Sequence, residues 1–468
     1  MSRFDTDICV IGGGSGGLSV AAGAVQMGAR VVLIEGHKMG GDCLNYGCVP
    51  SKALLSAAKA AKAAGPVEPE ATQQRYAAAQ AQVRAAIAAI EPHDSVERFE
   101  GLGVEVIQDY ARFTAPHAVQ VGGRTIRARR FVIATGSSAA IPPVPGLAEV
   151  PYLTNETLFD LHELPGHLLI LGGGPIGLEM ALAHRRLGAR VTVVEGAKAL
   201  GRDDPEAAAV VLGALRAEGV EIVEDAAVEK ISGRAGAIEL QVAGGTVFHG
   251  THLLVAAGRK PNIDRLDLAA AKVAFTDSGV RVGDDLRSPT NRRVHAIGDV
   301  AGRGQFTHLA GYHAGVIIRS MLFGLPAKAR ADHIPHVTYT DPELAQVGPT
   351  EGEARRKFGA RLEVLRVEMA QIDRAQAEGR TEGFLKLMVV AGRPVGATIV
   401  GAQAGELIAP LCVAVSARMK LSALAGTVLP YPTLAEIGKR GAGAYFSPKL
   451  FDNPFVKRVV RLVQRVLP

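Results

Sequence analysis

Cys43 and Cys48 stand five residues apart in Gly40-Gly41-Asp42-Cys43-Leu44-Asn45-Tyr46-Gly47-Cys48-Val49-Pro50-Ser51-Lys52, a spacing of little more than one helical turn. Two thiols so placed at a helix start can close a strained, readily reduced disulfide. The positive end of the helix and the Lys52 ammonium both favour a thiolate there, which suits the pair to redox exchange. The structural alternative is a pair of small buried hydrophobes. That alternative fits Cys9 and Cys412, each isolated in an apolar run, but not a pair framed by glycines and closed by Pro-Ser-Lys. Only four cysteines occur, so the chain is no disulfide-stapled scaffold, and a reducing compartment is expected.

A redox pair needs an electron source, and one pattern that could hold it occurs twice. Residues Asp7 to Gly36 read DICVIGGGSGGLSVAAGAVQMGARVVLIEG, and His167 to Gly196 read HLLILGGGPIGLEMALAHRRLGARVTVVEG. Gly12, Gly14 and Gly17 correspond to Gly172, Gly174 and Gly177, and each copy ends on an acid, Glu35 or Glu195. Each predicts a strand, a G-x-G-x-x-G turn, a helix and a second strand. The first glycine makes the turn, the second admits a pyrophosphate, and the third lets helix and strand pack closely, while the helix start favours the negative charge. Two dinucleotides are implied. A carboxylate at the ribose repels a 2′-phosphate, so Glu195 favours NADH, although Arg202 nearby keeps NADPH open.

The 468 residues suit about three domains, and 48% hydrophobic with 21% charged is ordinary globular composition, which excludes a disordered or collagen-like chain. The net charge of +6 is too slight over this length for a nucleic-acid binder. The start, Met1-Ser-Arg-Phe-Asp-Thr-Asp, is unlike a signal peptide, and no apolar run reaches the roughly 18 residues of a spanning helix, so a cytoplasmic protein is expected. The Ala-rich stretch from Ser56 to Ile90 reads as helix in two pieces, broken near Gly65-Pro66.

Taken together, these segments resemble the class I pyridine nucleotide-disulfide oxidoreductases, which include glutathione reductase, dihydrolipoamide dehydrogenase and mercuric reductase. GGDCLNYGCVPSK resembles the family's redox disulfide. Ala134-Thr135-Gly136-Ser137 and Ala256-Ala257-Gly258-Arg259 resemble its two strand-to-loop crossings, and Val294-His-Ala-Ile-Gly-Asp299 its third FAD motif. Val337-Thr-Tyr-Thr-Asp-Pro-Glu343 resembles the opening of its dimerisation domain.

The resemblance implies an α/β fold with two Rossmann-like domains, one for FAD and one for NAD(P)H, plus an α+β dimerisation domain. Residues 1–150 and 263–335 would hold FAD, 151–262 NAD(P)H, and 336–450 the interface of a homodimer. FAD binding would fall to Gly12, Gly14, Gly17, Glu35, Lys52, Thr135, Gly136 and Asp299, and nicotinamide-dinucleotide binding to Gly172, Gly174, Gly177, Glu195 and Gly258. Cys48 would be the thiolate facing the flavin and Cys43 the thiol that attacks substrate. Lys52 and Glu179 match the family's ion pair beside the flavin, with solvated helix charges as the structural alternative. No metal-ligand cluster is expected.

One position departs from that pattern. Where the disulfide reductases carry an acid–base histidine followed by a glutamate, this chain reads Leu429-Pro430-Tyr431-Pro432-Thr433-Leu434-Ala435-Glu436. Tyrosine at this place resembles the mercuric branch, as do Asp373-Arg374-Ala375 and Ala404-Gly405-Glu406; that branch's terminal cysteine pair is absent, because no cysteine follows Cys412. Tyr431 and Glu436 remain candidates for the substrate side, with a packed interface aromatic as the alternative for Tyr431. His308 and His313 are better read as packing residues. The expectation is an NAD(P)H-driven flavoprotein reducing a small-molecule or protein disulfide, the alternatives being a metal-ion reductase or a membrane-recruited flavoprotein with little disulfide turnover.

The charge has a location. Lys439, Arg440, Lys449, Lys457, Arg458, Arg461 and Arg465 face Asp452 alone in the last thirty residues, and the rest of the chain is balanced. Asn453 and Pro454 read as a helix cap and first position. Beyond them Phe455, Val456, Val459, Val460, Leu462, Val463, Val466 and Leu467 fill one arc at about 100° per residue, with Lys457, Arg458, Arg461, Gln464 and Arg465 on the other. Residues 451–468 therefore predict a basic amphipathic helix, with an anionic membrane surface as its partner through residues 453–468 or the protein's own dimer as the alternative.

Overall fold

The computed structural model describes residues 4–467. The first three residues of the segment that reads unlike a signal peptide, and Pro468 of the basic tail, lie outside them. The described chain divides into two units, 1–197 with 220–330, and 198–219 with 331–468.

In the first unit the strand Thr6–Ile11 is apolar from Ile8 onward, where both its faces are covered. It pairs in parallel with Val31–Ile34 on one side and Arg124–Ile133 on the other, with Cys9 opposite Val32 and Phe131. Glu105–Ile107 and Val294–Ala296 extend this parallel sheet outward. The repeat reproduces the arrangement, since His167–Leu171 lies parallel to Arg190–Val194 and to His252–Val255. Each first strand turns through positive-φ glycine, Gly12 at +112° and Gly172 at +117°, into the helices Ser15–Gln26 and Pro175–Leu187. The Ala-rich stretch is indeed two helices, Cys48–Ala64 and Pro69–Asp94, interrupted at Gly65. A short antiparallel pair, Ser137–Ala139 with Arg259–Pro261, ties the two crossings together.

The second unit carries a five-stranded antiparallel sheet in the order Pro335–Thr338, Glu343–Val347, Arg393–Gly401, Phe384–Val390, Leu362–Glu368. Leu385, Leu387, Ala397, Ile399, Leu411 and Ile437 belong to its core. The helix Glu436–Phe451 follows, then Pro454–Val466, which the Asn453 side chain caps by accepting from the amides of Phe455 and Val456.

Candidate active site

The redox loop differs from the helical turn expected for it. Cys43 lies in the short helix Gly41–Asn45, whereas Cys48 opens the long helix Cys48–Ala64, with Tyr46 and Gly47 between them. A Cβ on Gly47 would stand 2.9 Å from Asp42 Oδ2, and the Asn45 amide donates to the carbonyls of Met39 and Gly41, so the chain doubles back instead of continuing as one helix. Asp42 anchors the loop, accepting from Asn155 Nδ2 at 2.8 Å and pairing with Arg259 at 3.1 Å.

That fold makes the two thiols unequal. The Cys43 thiol donates toward Cys48, and this is the largest influence pulling the Cys48 pKa down to about 6; Thr307 Oγ1, 3.4 Å away, and the Lys52 charge add to it against the cost of burial. Cys43 is pushed well above the ordinary thiol range by the same hydrogen bond and by burial. Near neutral pH the pair is therefore one thiolate, at Cys48, and one thiol, at Cys43. Cys9 and Cys412 are inert by comparison, since burial raises both, Cys412 to about 11. Replacing Thr307 with valine removes a bond to the charged sulfur, so the Cys48 thiolate should titrate roughly one pH unit higher. Ultraviolet thiolate absorbance against pH measures this, and an unchanged midpoint would mean that Thr307 does not touch the thiolate in solution.

Lys52 Nζ meets Glu179 Oε2 at 2.8 Å, with Glu179 only 5% exposed, so two residues 127 apart in sequence are brought together beside the redox loop. Tyr431 and Glu436 lie in the second unit. The Tyr431 hydroxyl donates to Asp373 Oδ2 at 2.8 Å, and that bond raises the phenol further from its ordinary pKa. Arg440 also meets Asp373, at 3.4 Å. Glu436 Oε2 is buried with no hydrogen-bond partner among the described residues. His313 is a packing residue: its Nδ1 accepts from the Gly298 amide, and burial lowers it to about 4. The His308 ring stacks on Phe306.

The glycines fit two dinucleotides. A Cβ on Gly12 would lie 2.3 Å from Ala134 O and one on Gly17 1.8 Å from Gly12 O; Gly172 and Gly177 repeat this at 2.4 and 2.1 Å. The middle glycines are different. Added atoms at Gly14 would come no nearer than 3.8 Å to anything, and at Gly174 would meet nothing within 4 Å, so open backbone lies at each helix start for a pyrophosphate. Neither start has a side-chain cap of its own. Glu35 takes the amides of Gly13 and His37, and Glu195 those of Gly173 and Ala197, one on each oxygen, leaving acceptor capacity for ribose hydroxyls.

Asp299 accepts from Ser137 Oγ at 2.5 Å, while burial raises it above the ordinary carboxylate range. Thr135 Oγ1 donates to Asn262 O, and Gly136 and Gly258 adopt φ of +64° and +126°. Asn155, Arg259 and Thr307 have no motif of their own. Arg259 belongs to the second strand-to-loop crossing, but its pairing with Asp42 is visible only in three dimensions.

Fold and site together define a two-dinucleotide dithiol oxidoreductase. Residues 6–314 match the pyridine nucleotide-disulphide oxidoreductase family and residues 334–441 its dimerisation domain, and the chain belongs to this family. It is accordingly an FAD- and NAD(P)H-dependent oxidoreductase, and the second match supports a homodimer. It is similar to the mercuric reductase of Bacillus cereus, 33% identical over 93% of this chain and 70% of that one, and to that of Streptomyces lividans, 31% identical over 94% and 96%. Among solved structures it resembles the HOCl-induced flavoprotein disulfide reductase RclA of Escherichia coli, at TM-score 0.84 and 29% identity, covering 93% of this chain and 99% of that one. RclA has also been solved as a Cu(II) complex. No helix of the described residues is long and apolar enough to cross a membrane.

Proposed function

We propose that the chain uses NAD(P)H to reduce a thiophilic metal ion at Cys43 and Cys48. The observation that carries this is the Tyr431 hydroxyl bonded to Asp373. A disulfide acceptor needs a group that takes the proton of the attacking thiol and returns one to the leaving thiolate. A phenol held protonated does this poorly near neutral pH, and a positioned acid–base group is typically worth about 10²–10⁴-fold. A metal ion needs no proton returned to it. It displaces the Cys43 proton, binds both sulfurs, and leaves reduced by two electrons, after which Cys43 takes a proton back; the net change is NAD(P)H to NAD(P)⁺ with one proton released, and a one-electron acceptor such as Cu(II) is consumed twice per turnover. The names of the mercuric relatives and the Cu(II) complex of RclA support the same class.

Bound FAD supplies the two-electron relay between nicotinamide and thiols. Of the chain's own residues, we assign the thiolate to Cys48, exchange to Cys43, and the neighbouring charge pair to Lys52 and Glu179. The glycines of the two repeats hold the pyrophosphates, and the Glu195 carboxylate favours NADH. We assign residues 1–150 with 263–335 to FAD, 151–262 to the nicotinamide cofactor and 336–450 to the dimer interface. A reducing compartment, and so the cytoplasm, suits the exposed thiolate.

The second reading is a small-molecule or protein disulfide as acceptor, reduced with weakened proton transfer. The variant Tyr431→His separates the two. We expect glutathione disulfide or lipoamide turnover to rise about tenfold or more, with no gain for Hg(II) or Cu(II). Unchanged disulfide turnover would remove the missing base as the ground for preferring a metal ion.

A further inference from the structure

We infer that the helix Pro454–Val466 docks the protein on an anionic lipid surface, lying in the interface and not crossing it. None of its residues is buried; Phe455, Leu462 and Val466 are 71%, 62% and 71% exposed. The apolar residues form one continuous arc. Leu450 and Phe451, both exposed at the end of the preceding helix, add apolar surface beside it. A covered surface would be expected for eight apolar side chains in thirteen or fourteen residues, and within the described chain nothing covers them.

Charge selects the occupant. The opposite face presents Lys457, Arg458, Arg461 and Arg465, and no acid occurs from 453 onward. The rest of the chain carries balanced charge, so the protein offers no acidic excess for this face to meet. A nucleic acid would take the cations but leave the apolar arc in water. Phospholipid headgroups take the cations while the acyl boundary takes the arc. Thirteen residues make about 20 Å of helix, short of the ~30 Å hydrocarbon core, which fits a surface-lying segment. The helix also lies beyond the last residue matched by the family's dimerisation domain, so the interface need not be built from it.

The test uses the full FAD-loaded protein and phosphatidylcholine vesicles with or without phosphatidylglycerol. We expect co-sedimentation with the phosphatidylglycerol vesicles, weakened by salt, and each removed cation to cost roughly fivefold in partition. The pair Phe455→Asp with Leu462→Asp should lower partition at least about tenfold, with flavin content and NADH-driven turnover unchanged. Equal sedimentation of this variant, or none of the wild type, overturns the inference. So does a wild type that ignores vesicles but binds an acidic peptide, or one whose dimer dissociates on the same substitutions, because each assigns the helix to a protein surface instead.

Discussion

Replacing Cys48 with serine is expected to lower acceptor reduction by at least about 10³-fold while leaving bound flavin content unchanged. The size follows from what is lost. Cys48 holds the anionic charge of the pair, with a pKa of about 6 set by the Cys43 thiol, Thr307 and Lys52. A serine hydroxyl cannot ionise near neutral pH or close a disulfide, so the pair can neither store two electrons nor grip a soft ion through two sulfurs. Cys43→Ser should be similarly inactive but for another reason. It leaves a lone thiolate at Cys48 with no partner sulfur, so no disulfide can close and no ion can be held between two sulfurs. Steady-state NADH oxidation with an added acceptor measures both variants, and turnover within tenfold of wild type in either would show that electrons leave the protein elsewhere.

Lys386→Met should produce the largest loss of stability. Lys386 sits in the middle of the strand Phe384–Val390, and its ammonium is 4% exposed. It reaches Asp204 Oδ2 at 3.1 Å, Glu206 Oε1 at 2.5 Å and Glu351 Oε2 at 2.9 Å, with Asp204 only 1% exposed. Removing the cation leaves buried Asp204 without its counter-charge, and breaking such a centre costs about 3–5 kcal/mol.

Because Glu206 is half in water and Glu351 partly so, the lower half of that range is expected. The hydrogen bond from Lys386 is the chief influence lowering Glu206; for Glu351 burial acts upward but is outweighed by Lys386 and Arg355. Depressed carboxylates contribute stability that is present above their ordinary pKa of 4.5 and lost as pH falls through the lower folded values. Lys386→Met should therefore show a flatter acid limb in chemical denaturation than wild type. Equal midpoints at pH 7 would mean the centre contributes nothing net.

The parts of this molecule that were legible in sequence are those whose physics is local. Gly12 and Gly17 need to be glycine because a backbone carbonyl occupies the space of a Cβ, and the same reason repeats at Gly172 and Gly177. The helix from Pro454 announces itself by its cap and its period. Cys43 and Cys48 were recognisable as a pair, but their placement on two helices was not, since it depends on the turn at Gly47 and on Asn155 and Arg259 holding Asp42. Thr307 reaches Cys48 across 259 residues and carries no motif. Lys386 reads in sequence as one polar residue in an apolar strand; its carboxylates are up to 182 residues away. In each case the missing information is which distant chain segment arrives, and no periodicity encodes that.

The most direct test of the metal-ion reading compares acceptors at equal concentration on the unaltered, FAD-loaded dimer. NADH oxidation is followed anaerobically with Hg(II) presented with excess small thiol, with Cu(II) presented without thiol, and separately with lipoamide or glutathione disulfide. We expect kcat/KM for at least one metal ion to exceed that for both disulfides by about 10²-fold or more, the rate that a missing acid–base group withholds from disulfides alone. Disulfide turnover equal to or faster than metal-ion turnover would contradict it.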